Sequence, residues 1–254
     1  MTEAASVHDT RSLVAVAGLF AVNGALVGGI GATLPAMRLR LGVDAGGLGV
    51  LLVSLAAAAV VSMQIGGRLA DSRGARNVAL PASGLLIAGV VSLAFAPTLP
   101  LAAAAAALAG LGNGAMDVSM NALGVRVEQA RAKPVMSRLH ACFSIGNVAC
   151  AATVVLVARL AGAGAAVVAP SLVTLSAVSL VACVAIWRWV PSTAGVRTVE
   201  RSAARPRLPR LPRLPRLPAF ALLLGAMAFS FGLAEGTAID WSSVHVTDVA
   251  RVEP

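Results

Sequence analysis

Seven stretches of this chain are apolar over about 20 residues each, the length at which a helix rising about 1.5 Å per residue crosses a hydrocarbon core of about 30 Å. They fall at 12–36, 46–66, 78–96, 99–125, 139–161, 165–190 and 219–241. Lipid offers no partner to a backbone amide, so a spanning segment is either a helix or a strand of a closed barrel. A barrel strand takes about 10 residues of alternating polarity, whereas the Ala, Leu and Val of these runs do not alternate. The fold class is therefore an all-α integral membrane protein. Composition agrees, with 58% hydrophobic and 12% charged residues and a mean hydropathy of +0.85, against about 25% charged in ordinary soluble domains. The first run exceeds the roughly 7–15 residues of a secretory signal core and reads as a retained helix.

The net charge of +9 does not point to nucleic acid, because the cations lie in the connections between spans and not on one soluble face. With a cytoplasmic N-terminus, the inner segments hold Arg11, then Arg68, Arg73 and Arg76, then Arg126, Arg131, Lys133 and Arg138, then a run of arginines from Arg188 to Arg216. The outer segments hold only Arg38, Arg40, Arg159 and Arg251. The positive-inside rule thus predicts a multi-pass protein of the cell (inner or plasma) membrane, with its N-terminus in the cytoplasm and its C-terminus outside. Cys142, Cys150 and Cys183 all fall within spans and read as packing residues.

Three regions follow. Residues 1–190 form a six-helix bundle, 191–218 a basic linker on the cytoplasmic side, and 219–254 a seventh span with a short outer tail. The linker ends in four tandem Arg-Leu-Pro triplets between Arg207 and Pro218. Proline at every third residue favours polyproline II, which aligns the arginines along one edge. Anionic lipid headgroups are the expected partner, and a proline-recognising module is the alternative.

Between the second and third runs the chain reads Gly66, Gly67, Arg68, Leu69, Ala70, Asp71, Ser72, Arg73, Gly74, Ala75, Arg76. Glycines here permit a tight reversal, and the acid and bases a charge relay at the membrane face. The spacing resembles the signature loop of the major facilitator superfamily at Gly67, Leu69, Ala70, Asp71, Gly74 and Arg76, departing at Ser72 and Ala75. That resemblance implies a six-helix N-terminal bundle followed by the start of a second. It also implies a conformational latch in which Asp71, with Arg76 and Arg73, engages a helix of the other bundle. The bland alternative is that these charges only keep a short loop in water.

On the fourth run Asn113, Asp117 and Asn121 are spaced four apart and share one helical stripe. A carboxylate at mid-span costs about 2.5–3.5 kcal/mol on insertion scales, so Asp117 is expected to face a cavity or a partner, or to take up a proton. His140, Ser144 and Asn147 make a second stripe at the start of the fifth run, with His140 at the interface as a cap or headgroup contact. The segment from Met116 to Ala151, including Met116 to Asn121 and His140 to Gly146, is similar to the sugar-permease-like branch that contains fucose permease. There an acid on helix four couples substrate to protons, which makes Asp117 the coupling candidate and Asn121 its cavity-lining neighbour. The alternative for Asn121 and Asn147 is interhelical hydrogen bonding worth roughly 0.6 kcal/mol each.

In the last run Glu235 precedes Asp240 by five residues, about 500° of helix, so the two acids point about 140° apart. The same branch resemblance makes Glu235 a candidate for the central cavity, while Asp240 is expected in solvent and Trp241 at the interface. Asn23 lies beside Gly24 and Gly28, whose small-xxx-small spacing, like that of Gly110 and Gly114, fits close helix contact. Asn23 itself reads either as a packing or as a cavity residue. No phosphate loop, metal-ligand cluster or nucleophile with a base is present in the sequence, and no cofactor or enzymatic activity is expected.

These features predict a proton-coupled secondary transporter, most simply a symporter, of a small polar solute. With seven spans the chain is expected to need a separate C-terminal half. A truncated, non-transporting membrane protein or a half-transporter subunit is the alternative. A seven-helix receptor shares only the helix count. A periplasm-active reporter fused after Pro254 should be active and a cytoplasm-active one silent; the reverse pattern contradicts the orientation read from the arginines.

Overall fold

The structure is a computed structural model and describes residues 10–192 and 218–250. Seven helices among the described residues are long and apolar enough to cross a membrane. They are α1 (Thr10–Leu41), α2 (Ala45–Arg73), α3 (Arg76–Phe95), α4 (Leu99–Arg131), α5 (Met136–Ala161), α6 (Val168–Ile186) and α7 (Ala219–Ala250). A single 3₁₀ turn, Gly164–Val167, leads into α6.

Hydrophobicity located the spans, and capping sets where the helices end. Asp44 caps α2 by accepting from the Gly47 N–H at 2.9 Å, so α2 starts where the apolar run does. Its other end continues through the charged residues to Arg73, and Gly66 and Gly67 are helical. The expected glycine reversal is thus confined to Gly74, whose φ of 91° is open to glycine at no steric cost. α4 overruns its apolar segment in the same way, reaching Arg131 before Pro134 forces a break. The carboxylate of Glu128 then turns back and accepts from the N–H groups of Val135 and Met136, at 2.7 and 3.0 Å, capping α5. α6 ends earlier than expected, at Ile186, and α7 continues past Trp241 to Ala250. The Arg-Leu-Pro repeat lies outside the described residues.

α4 lies along both α2 and α3, and α1 lies along α5 and also touches α4, α6 and α7. Water drives no helix association inside lipid, so close packing must hold these pairs together. A Cβ on Gly110 would land on the Leu55 carbonyl, and one on Gly114 on the Ala59 carbonyl, so α2 and α4 approach backbone to backbone. Gly24 meets Phe143 and Gly146 meets Ala21 in the same manner, locking α1 to α5. Gly24, Gly110 and Gly114 were the contacts expected from spacing. The core they enclose is built on Leu19, Phe20, Leu26, Leu34, Met116, Met120 and Leu123, each at most 1% exposed. Cys150 and Cys183 are buried, Cys142 is half-buried, and all three are free thiols.

Arginines at the end of α1 have structural partners. Arg40 donates to the carbonyls of Leu93 (2.9 Å), Ala96 (3.1 Å) and Ala94, which are exposed carbonyls at the C-terminus of α3. α7 is held at its far end only. Pro35 has no N–H to offer the Gly31 carbonyl four residues earlier, and the Ser243 hydroxyl of α7 donates to that oxygen at 2.8 Å. Arg38 pairs with Asp248 at 2.9 Å one helical turn beyond, and Val244 is buried between the two contacts. The stretch from Ala219 to Ala238, by contrast, has no residue buried in the bundle.

Close glycine contacts make a direct prediction. Gly110→Leu should lower stability in detergent by about 1–3 kcal/mol or more through overpacking. Gly225→Leu, where a Cβ meets nothing within 4 Å, should leave it unchanged. Equal thermal unfolding of the two variants, followed by circular dichroism, contradicts the packing.

Candidate functional site

Polar side chains on α1, α4, α5 and α7 gather along the inner face of the bundle. Asn23 of α1 is 2% exposed, and its Nδ2 donates to Asn113 Oδ1 of α4 at 2.9 Å. Asn23 thus makes the interhelical hydrogen bond that its sequence context left open. One turn along α4, Asp117 is half-buried. Asn121 Nδ2 donates to the Asp117 backbone carbonyl at 2.9 Å and reaches its Oδ1 at 3.3 Å. The predicted stripe therefore exists, with its first member tied to α1 and the other two to each other.

His140 lies differently from expectation. Glu128 caps α5, and the His140 ring packs edge-on against Phe20, with centroids 5.2 Å apart and planes at 77°. Phe20 and Asn23 lie one turn apart on α1, so α1 brings the histidine of α5 and the aspartate of α4 to the same level. The spacing within either helix alone carries no sign of this.

Between α1, α5 and α7 lies a cavity of about 520 Å³. Asn147, Ser144 and Phe143 come from α5, Gly28 and Ala32 from α1, and Glu235, Ser242 and Ser243 from α7. Gly28 is small because Asn147 Oδ1 occupies the space its Cβ would need. The structure thus brings Glu235 and Asn147 to one cavity, whose lining does not include Asp117, Asn121, Asn113 or Asn23. Asp240 is half-buried rather than solvated, and Trp241 packs against the core.

At the other end of the bundle, the expected charge relay among Asp71, Arg73 and Arg76 is not formed. Asp71 and Arg73 are exposed, and Asp71 makes no hydrogen bond or ion pair with another described residue. Arg76 instead reaches α6, donating to the Trp187 carbonyl at 2.9 Å and to Ser192 Oγ at 3.1 Å. Its guanidinium lies 5.6 Å from the Trp187 ring centroid. Gly67 is half-buried against Val118 of α4 in ordinary contact. No three His, Cys, Asp or Glu side chains among the described residues converge as a metal site would require.

Sequence spacing missed Arg38, Arg40, Glu128 and Ser243. Only Ser243 had a local signal, the carbonyl left open four residues before Pro35.

A membrane-spanning helix bundle with a polar inner face and a cleft beside its seventh helix is a transporter-type fold. This chain belongs to the Major Facilitator Superfamily, whose sequence profile matches residues 16–249, and so stands among transporters and not enzymes. It is 35% identical over 245 residues to an uncharacterized transporter, y4wD, of Sinorhizobium fredii, covering 94% of this chain and 60% of that one. An uncharacterized MFS-type transporter of Yersinia pestis is 27% identical over 221 residues, covering 87% of this chain and 54% of its own length. The chain thus spans little more than half the length of these relatives. The crystal structure of the nucleoside transporter NupG shares the fold, with a TM-score of 0.62 at 19% identity, over 88% of this chain and 53% of that one.

Proposed function

We propose that this chain is the proton-handling bundle of a secondary transporter for a small polar solute, of the sugar-permease-like branch, operating by symport. One observation carries the reading: Asp117, a carboxylic acid inside a membrane span, is half-buried beside Asn121, whose Nδ2 reaches its Oδ1 at 3.3 Å. Binding and release of a proton is the chemistry that a carboxylic acid inside a span can offer. In this reading Asp117 takes the proton, and Asn121, Asn113 and Asn23 form the polar layer that senses its charge. Asn147 and Glu235 bind solute in the adjoining cleft.

Alternating access requires a second bundle rocking against this one. The unburied face of α7 from Ala219 to Ala238 supports such a neighbour, and the length of the relatives supports its belonging to the same machine. Asp71, exposed at the end of α2, is then the group that latches onto the second bundle. Gly74 supplies the turn beside it, Gly67 lies in ordinary contact with Val118 of α4, and Arg73 and Arg76 are the local cations. The arginine distribution supports a cytoplasmic N-terminus in the cell membrane, with the Arg-Leu-Pro segment against anionic headgroups.

The test is uptake into proteoliposomes by this bundle joined to a C-terminal bundle, screened against sugars, amino acids and organic acids. For one coupled proton, a gradient of one pH unit drives about tenfold accumulation. Asp117→Asn should abolish that accumulation and leave solute exchange at equal pH intact. Unchanged pH-driven accumulation in the variant removes Asp117 from the coupling site.

A further inference from the structure

A second cavity, of about 270 Å³, lies on the outer flank of the bundle between α3 and α6, away from the polar cleft. Leu80, Gly84 and Ile87 line it from α3, and Leu180, Val184 and Trp187 from α6. Each trio follows helical i, i+4, i+7 spacing, so the two helices form the walls of one lengthwise groove. Trp187 and Val184 are 52% and 63% exposed, which leaves the groove open on the side facing the membrane.

Gly84 is the feature that packing does not explain. A Cβ on Gly89, Gly110, Gly112 or Gly114 would strike a neighbouring helix backbone, but one on Gly84 meets nothing within 4 Å. A glycine in mid-helix weakens the helix relative to alanine and gains no contact here. It keeps the floor of the groove low.

Arg76 sits one turn beyond Leu80, over the Trp187 ring that closes the groove at this end. The Trp187 carbonyl and Ser192 engage two of the five N–H donors of its guanidinium. Arg76 is the cation the structure places at this end, and Arg188 follows Trp187 directly in the chain. From Arg76 to Ile87 the helix rises about 16 Å, close to the half-thickness of a hydrocarbon core of about 30 Å. The groove therefore runs from headgroup level to the bilayer midplane, positively charged at its polar end and apolar below.

We propose that the α3–α6 groove is a binding site for one anionic phospholipid, its phosphate on Arg76 beside Trp187 and one acyl chain lying over Gly84 between Leu80, Ile87 and Val184. This site does not depend on transport.

The test reconstitutes the full chain in nanodiscs of equal phosphatidylglycerol and phosphatidylcholine with matched acyl chains, then measures by native mass spectrometry the lipid retained on extraction. The wild-type chain should keep one phosphatidylglycerol in preference to phosphatidylcholine. Arg76→Gln should reduce that preference about fivefold, the effect of one arginine at an anionic surface. Gly84→Leu and Val184→Trp, which fill the groove from opposite walls, should remove the retained lipid while helical circular dichroism and monodispersity stay unchanged. Undiminished retention in both groove-filling variants, or equal retention of the two lipids by the wild-type chain, overturns the site.

Discussion

A polar group inside hydrocarbon must find its partner within the protein, and the architecture of this bundle follows from that requirement. Helices satisfy most of the backbone, and the exceptions are met by side chains from elsewhere. Arg40 covers the open carbonyls at the end of α3, Glu128 covers the open amides at the start of α5, and Ser243 of α7 covers the oxygen that Pro35 exposes on α1. Each of these contacts joins two helices, so satisfying the backbone and fixing the tertiary arrangement are one event. Among the described residues, Arg40 Nε, Ser171 Oγ and Ser176 Oγ are the buried polar atoms left without a partner.

The same requirement separates structural from functional polarity. Asn23 and Asn113 satisfy one another across α1 and α4. Asp117 receives a long hydrogen bond from Asn121, at 3.3 Å. Such a group is costly to keep inside a span. Glu235 and Asn147 stand at a cleft and are not sealed between helices, which suits residues that exchange water for solute.

Much of this architecture is legible in the sequence, because the strongest signals are local. Apolar length fixed the number of helices, and glycine spacing identified the contacts at Gly24, Gly110 and Gly114. The loop around Asp71 and Gly74 identified the family now shown by the match over residues 16–249. Helix ends were less legible, because α2 and α4 continue into charged residues that tolerate helix once outside the apolar layer. The partners of Arg38, Arg40 and Arg76 were not legible at all. Each lies more than 50 residues away along the chain, and a long arginine side chain reads the same whether it ends in water or on a carbonyl. His140 illustrates the point from the other side: its stripe on α5 was correct, but its neighbour is set by α1.

The central claim is that the inner polar face meets water and not lipid. It is tested most directly by thiol accessibility in a chain whose native Cys142, Cys150 and Cys183 are replaced by serine. Single cysteines introduced as Asn147→Cys and Glu235→Cys should react rapidly with a membrane-impermeant maleimide in intact membranes, while Val178→Cys, 64% exposed on the outer side of α6, should stay unlabelled. Labelling of Val178→Cys with neither cleft position reacting would contradict the claim.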